Sequence, residues 1–272
     1  MNKTEIEWVK NPDGTQGYSW NPITGCLKGC EYCYARKLAN GRLKAKYLAN
    51  KNIIPPYKDI EGFTHTPTAF VDIMPFYPRS WFDRREKLLE NVKPKGVFVC
   101  DMSDLFGIGI PESWTECVLE TIKVCPEHRF YLLTKQSQNL IKWSPFPENC
   151  WVGVSATNTE TFMRACSDLE GIRAKIKFLS IEPLLDWSFN WSPSYLSNSL
   201  RRANIRWLII GQQTPIKKTT TPKIEWIKEI IETADKAGTL VFLKNKLREL
   251  LCRGATPWAW QPNAGMLRQE FP

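Results

Sequence analysis

From residue 96 onward the sequence falls into a rhythm that few folds can accommodate: short apolar runs, each closed by a polar residue or a glycine. They are 97–101 (VFVCD), 130–134 (FYLLT), 151–155 (WVGVS), 177–182 (KFLSIE), 207–211 (WLIIG) and 240–244 (LVFLK). Runs that stay apolar instead of alternating predict strands buried on both faces, as in parallel sheets. Their starts lie 33, 21, 26, 30 and 33 residues apart, the length of one strand with one returning helix. Helical spacing fills two of the gaps. Trp114, Cys117, Val118, Thr121, Ile122 and Cys125 share a face after Pro111, and Ile224, Ile227, Ile230, Ile231 and Ala234 share one before Gly238. With a further strand near 18–21, the expected fold is α/β, a partial (β/α)6-type barrel, with a doubly wound open sheet as the alternative. Both place chemistry at the carboxyl ends of strands. Those ends carry Asp101, Ser103, Asp104, Thr134, Lys135, Ser155, Glu182, Gln212, Gln213 and Lys244.

A chain of 272 residues is within reach of one α/β core, so residues 1–272 are expected to form a single domain. Residues 52–95, rich in proline and aromatics, interrupt the rhythm. They read as a surface excursion that ends in a helix from about Arg79 to Asn91 and could serve as a lid. No run approaches the ~18 apolar residues of a membrane span, and the start (MNKTEIEWVK) lacks the apolar stretch of a signal peptide. Nine cysteines, an odd number without regular spacing, favour free thiols over a disulfide framework. A cytoplasmic protein without membrane association is expected. The net charge of +9 is uneven: residues 1–51 hold nine Lys/Arg against four Asp/Glu, residues 201–272 thirteen against six, and the rest fifteen against eighteen. Basic ends of this kind suit a polyanion-binding face or a merely solvated surface.

Residues 25–35, GCLKGCEYCYA, set Cys26, Cys30 and Cys33 in one glycine-bounded loop. Thiolates bind soft metals, chiefly zinc and iron–sulfur clusters. Structural zinc takes four ligands, and the only histidines, His65 and His128, are isolated. A four-iron cluster held by three cysteines keeps one iron open for another ligand.

This Cys-x-x-x-Cys-x-Tyr-Cys pattern resembles the signature of the radical S-adenosylmethionine (SAM) superfamily, with Tyr32 at its aromatic position. The segments SWNPITGC, CDMSDLFG, YLLTK, WVGVSATN, FLSIEPLL, WLIIGQQ and VFLK resemble, in their order, a three-cysteine family of phage and prokaryotic radical-SAM-like proteins. More distantly they resemble the spore photoproduct lyases, which repair DNA. The chain departs from the three-cysteine family in its shorter first cysteine interval and in Gly211-Gln212-Gln213, where that family has Gly-Gly-Glu. The resemblance implies a [4Fe-4S] cluster on Cys26, Cys30 and Cys33 whose open iron chelates SAM. Reductive cleavage of SAM then gives a 5′-deoxyadenosyl radical that takes hydrogen from a substrate. It also implies an electron donor such as flavodoxin or ferredoxin.

By the same resemblance, Ser103 and Asp104 would accept from the methionine ammonium of SAM and Lys135 would pair with its carboxylate. Ser155 would reach its ribose or methionine portion, Gln213 would line the adenosine or substrate pocket, and Tyr32 would shield the cluster; Glu182, a carboxylate at the end of an otherwise apolar strand, must be paired or face the mouth of the barrel. Each has an ordinary structural reading too: a helix cap, a surface lysine, a turn serine, a packed aromatic. Trp258 and Trp260, two residues apart, suit stacking on a base or closing one end of the core. The basic ends and the distant lyase resemblance favour a nucleic acid or nucleotide as substrate. The alternative function is a nucleic-acid-binding module whose three cysteines hold a structural metal.

Overall fold

The structure of the chain, a computed structural model, describes residues 1–58, 62–65, 73–90, 93–188, 193–252, 254, 256–261 and 265–272. It divides into two compact units, residues 1–139 with 147–150 and residues 140–146 with 151–272.

The first unit begins with β1 (Asn2–Lys3), β2 (Tyr18–Trp20) and β3 (Ile23–Thr24), followed by α1 (Tyr34–Asn40) and α2 (Lys44–Ala49). The excursion supplies β4 (Tyr57–Lys58), β5 (Thr64–His65), β6 (Arg79–Ser80) and α3 (Glu86–Leu89). Then come β7 (Gly96–Val99), α4 (Glu112–Lys123) and β8 (Arg129–Thr134). β1 runs antiparallel to β2, whereas β2–β7 and β7–β8 are parallel. Every residue of β7 is buried, as its unbroken apolar run predicts. Trp8 seals one side, meeting Phe98 and Tyr131 edge to face at 5.2 and 5.7 Å. The buried Asn11 side chain accepts from the Gly96 N–H at 2.9 Å and so fixes the start of β7.

Two sequence expectations shift here. Pro111 caps α4 as expected, but the buried face is Thr115, Val118, Leu119, Thr121 and Ile122. Trp114 and Cys117 stay half-buried, and Cys125 is buried only beyond the helix end. The helix expected over 79–91 is instead a strand, a 3-10 turn (Phe82–Arg85) and the four-residue α3; Asn91 lies outside the described residues. Tertiary contacts decided this. Arg79 is fully buried and its guanidinium donates to the carbonyls of Asn50 (2.7 Å) and Met74 (3.1 Å), while Ser80 pairs with Ile23 across β3–β6. The parts of the excursion at 59–61 and 66–72 also lie outside the described residues.

In the second unit β9 (Cys150–Ala156), β10 (Ile176–Ile181), β11 (Ile205–Ile210) and β12 (Leu240–Leu243) alternate with α5 (Thr159–Glu170), α6 (Pro193–Arg202) and α7 (Ile224–Ala237), and α8 (Arg248–Leu251) follows. All three strand pairings are parallel. Asn158 and Thr161 form a capping box on α5, and Gly238, at φ 72°, ends α7 in the left-handed region. The core centres on Trp207, fully buried, with Trp151, Phe178, Phe242 and Phe271 at centroid distances of 5.4–6.1 Å. The chain is thus a mixed α/β protein of mostly parallel strands, with each of the six apolar runs found as a strand. Among the described residues, no helix is long and apolar enough to cross a membrane.

Because Trp207 is where these aromatic contacts converge, Trp207→Ala should lower stability by about 3–5 kcal/mol. Denaturant unfolding followed by far-UV circular dichroism checks this, and a loss under about 1 kcal/mol would show that the cluster does not hold the second unit together.

Candidate metal and cofactor site

The cysteine loop joins β3 to α1, and backbone contacts fix where it starts. Gly25 sits at φ +87°, its N–H donates to the Met102 carbonyl at 2.9 Å, and a Cβ there would lie 2.5 and 2.6 Å from the carbonyl oxygens of Tyr77 and Phe76. Only glycine combines that φ with that approach. The next amide, Cys26 N–H, donates to the Phe76 carbonyl at 3.2 Å.

All three thiols are free and half-buried. Cys26 and Cys33 pack against a cluster of Ala35, Ala39, Tyr47, Phe76 and Met102. Cys26 Sγ accepts from the Lys28 N–H, and Cys33 Sγ, at the N-cap of α1, from the Arg36 N–H, each at 3.4 Å. Burial, then the nearby Asp104 carboxylate, pushes the Cys26 thiol up to about 12. Tyr32 is likewise held above the usual tyrosine range, first by burial and then by Cys30, whose side chain it hydrogen-bonds. Among the described residues, no group of three or more His, Cys, Asp or Glu side chains is gathered as for a single metal ion.

The strand ends beside the loop form one hydrogen-bonded system. Cys100 leaves β7 at φ 60°, a left-handed turn that costs a non-glycine residue energy and tends to occur at functional sites. Asn21 donates to Asp101 Oδ1 and accepts from the Met102 N–H at 3.0 Å. Burial raises the Asp101 pKa, and the Asn21 hydrogen bond opposes the rise. The Tyr34 hydroxyl donates to the Asp101 carbonyl, and that of Ser103 to the Gly25 carbonyl, both at 2.5 Å.

Asp104 is 7% exposed and bridges the exits of two strands. Its Oδ1 accepts from the Thr134 hydroxyl at 2.7 Å and the Phe106 N–H at 3.2 Å, and its Oδ2 from the Lys135 N–H at 2.9 Å. Lys135 Nζ then stands 5.3 Å from the centre of the Tyr32 ring, within cation–π range. Two further cations brace the loop: Lys28 Nζ donates to the Lys135 carbonyl at 2.7 Å, and the Arg36 guanidinium to the Lys28 carbonyl at 2.8 Å.

The first unit therefore brings together Cys26, Cys30, Cys33, Tyr32, Ser103, Asp104 and Lys135. It also holds Asp101, which the sequence places at the same strand end, and adds Asn21, Lys28 and Arg36, to which the sequence assigns no role. Lys28 lies inside the cysteine triplet and Arg36 one turn beyond it, a signal that charge spacing could have given; Asn21 lies in the SWNPITGC segment, but its residue type gives no sign of its hydrogen bonds to Asp101 and Met102. The other candidates belong to the second unit. Ser155 lies on β9 opposite Ser180 of β10. Glu182, just past β10, is ion-paired with Lys244, just past β12. Gln213 is buried, and the neighbouring Gln212 donates to the Lys246 carbonyl while its buried Oε1 meets no donor among the described residues.

Fold and site define a parallel-strand α/β protein with a three-cysteine loop placed ahead of its strand ends. A family model described as "Protein of unknown function (DUF5131)" matches residues 3–248, and the chain belongs to that family. No curated protein sequence matches it. Among solved structures the chain is similar to spore photoproduct lyase complexed with dinucleoside spore photoproduct, at 13% identity and a TM-score of 0.45, covering 82% of this chain and 75% of that one. It is also similar to a cysteine-to-serine mutant of spore photoproduct lyase at 12% identity and a TM-score of 0.46, covering 90% and 80%. A further mutant of that enzyme, with bound AdoMet and dinucleoside spore photoproduct, matches at 14% identity and a TM-score of 0.41, covering 79% and 60%.

Two outcomes test this arrangement. Asp104→Ala strands the Thr134 hydroxyl and the Lys135 N–H and should cost about 2–4 kcal/mol in denaturant unfolding; a neutral result would mean that the two strand exits are tied by other contacts. Gly25→Ala should cost about 1–3 kcal/mol and speed labelling of the loop cysteines by a thiol reagent, read by peptide mass spectrometry. Gly29→Ala, where a Cβ meets nothing within 4 Å, should leave both unchanged.

Proposed function

We propose that the chain is a radical SAM enzyme: Cys26, Cys30 and Cys33 hold a [4Fe-4S] cluster, SAM binds beside them, and the substrate is a nucleic acid or nucleotide. The observation that carries this is the chemistry of the loop. Three free thiols stand half-buried on one glycine-fixed turn, backbone N–H groups face the sulfurs of Cys26 and Cys33, Lys28 and Arg36 tie the backbone of the loop, and Lys135 lies over the Tyr32 ring beside it. A cluster bound through three thiolates is anionic, and amide hydrogen bonds and nearby cations are the groups that stabilise and tune it. The Cys26 thiol, whose pKa burial raises, would ionise on binding iron, because a coordinating thiol is deprotonated outright. The donor set therefore fits the group.

When bound, the cluster and SAM supply one-electron chemistry, the reductive cleavage of the sulfonium to a 5′-deoxyadenosyl radical that abstracts hydrogen. The chain's own residues bind and orient. Tyr32, hydrogen-bonded to the Cys30 side chain, would shield the thiols from water. Asp104 holds the Lys135 backbone so that the lysine side chain stays over Tyr32, where its ammonium is placed for the carboxylate of SAM. Asp104 and Ser103 keep acceptor capacity beyond the bonds they already make, which suits them to the methionine ammonium. Residues 1–272 would act as a single radical SAM-like domain, in the reducing cytoplasm that an oxygen-sensitive centre needs, with an electron donor such as flavodoxin or ferredoxin.

Anaerobic reconstitution tests the proposal. About four irons per chain, a change in the electron paramagnetic resonance spectrum of the reduced protein when SAM is added, and release of 5′-deoxyadenosine are expected, all lost in Cys30→Ala. One zinc with no iron and no response to SAM would sink the radical enzyme and favour a metal-stabilised nucleic-acid-binding module.

A further inference from the structure

Immediately after the cysteine loop the chain becomes one-sided in charge. Between Tyr32 and Tyr57 lie Arg36, Lys37, Arg42, Lys44, Lys46 and Lys51, and not a single Asp or Glu. This segment holds α1 and α2, and its far end forms one wall of a groove of about 640 Å³ lined by Lys46, Asn50, Lys51, Trp81, Phe82 and Asp83. Among the described residues lining it, Asp83 is the only acid.

The groove is held in shape by main-chain ties. The Asn50 side chain donates to the Ser80 carbonyl at 2.7 Å, Ser80 N–H to the Asn52 carbonyl at 2.9 Å, and Arg79 to the Asn50 carbonyl at 2.7 Å. Trp81 is fixed at both ends, its backbone N–H donating to the Pro22 carbonyl at 2.7 Å and its indole N–H to Thr24 Oγ1 at 2.8 Å. The same indole packs against the apolar cluster that backs Cys26 and Cys33. The groove and the cysteine loop thus rest on the same apolar cluster.

We propose that this groove binds a single-stranded nucleic acid, with an unstacked base against Trp81 and Phe82 and the flanking phosphates at Lys46 and Lys51. Cations alone would serve any polyanion, but two half-buried aromatic side chains in the same groove lining, Trp81 beside Tyr47 and Phe82 beside Trp114, match a base with a phosphate on either side. A paired duplex keeps its bases stacked and offers no ring to Trp81 and Phe82. Because Trp81 is already hydrogen-bonded in place, little ordering opposes binding. The inference deepens the radical SAM reading by naming its substrate class, and rests on that reading only for what happens to the strand once bound.

Fluorescence anisotropy of the full chain with a labelled oligothymidylate of about a dozen nucleotides tests it, across a salt series and beside an abasic strand of the same length. Loss of the bases should weaken binding about fivefold or more, the equivalent of about 1 kcal/mol of stacking. The Lys46→Ala/Lys51→Ala double variant should lower the slope of log affinity against log salt by about 1.4, since each lost phosphate contact on a single strand contributes about 0.7. Equal binding of the abasic strand, or an unchanged salt slope in the double variant, overturns the proposal. Iron uptake measured on the same preparations reports separately on the radical SAM reading, so either can fail alone.

Discussion

The carboxylate of Asp104 is the constraint around which the first unit's site is arranged. A buried carboxylate is tolerated only when hydrogen bonds satisfy it, and this one receives the Thr134 hydroxyl together with the N–H groups of Lys135 and Phe106. Those donors belong to the exits of β7 and β8, so the requirement of one side chain locks two loops together. Lys135 is then held over Tyr32, and its carbonyl becomes the anchor for Lys28. Removing the charge would release the chain of contacts that braces the cysteine loop from the strand side.

The loop is braced from below by a different kind of force. Gly25 is pressed against the backbone at Phe76 and Tyr77, so the excursion forms part of the mould of the loop. Here residues 74–81 act as structure: Arg79, fully buried, ties the carbonyls of Asn50 and Met74, and Trp81 reaches back to Thr24. Packing and hydrogen bonding together fix the start of the loop and the surroundings of Cys26 and Cys33.

The sequence carried much of this in its patterning. Unbroken apolar runs found all six strands because a strand covered on both faces leaves a compositional mark that needs no knowledge of its neighbours. Pro111 and Gly238 marked helix ends for equally local reasons. The buried face of α4 was shifted because Trp114 and Cys117 are half-buried while Thr115 and Leu119 are inside; periodicity gives a stripe, and only the packing partner sets its centre. The helix expected from about Arg79 failed, since a guanidinium is buried only when distant carbonyls come to meet it.

By itself the sequence determined the strand rhythm, the cysteine spacing and the polar residues at the strand ends, because each is a short-range property of residue type and interval. The tertiary structure decided what those residues touch. It joined Asp104 to Thr134, set Lys135 against Tyr32, tied Lys28 to the Lys135 carbonyl, and placed Ser155, Glu182 and Gln213 in the second unit. These pairings span tens of residues and follow from how strands order and where buried polar groups find partners, which no local pattern encodes.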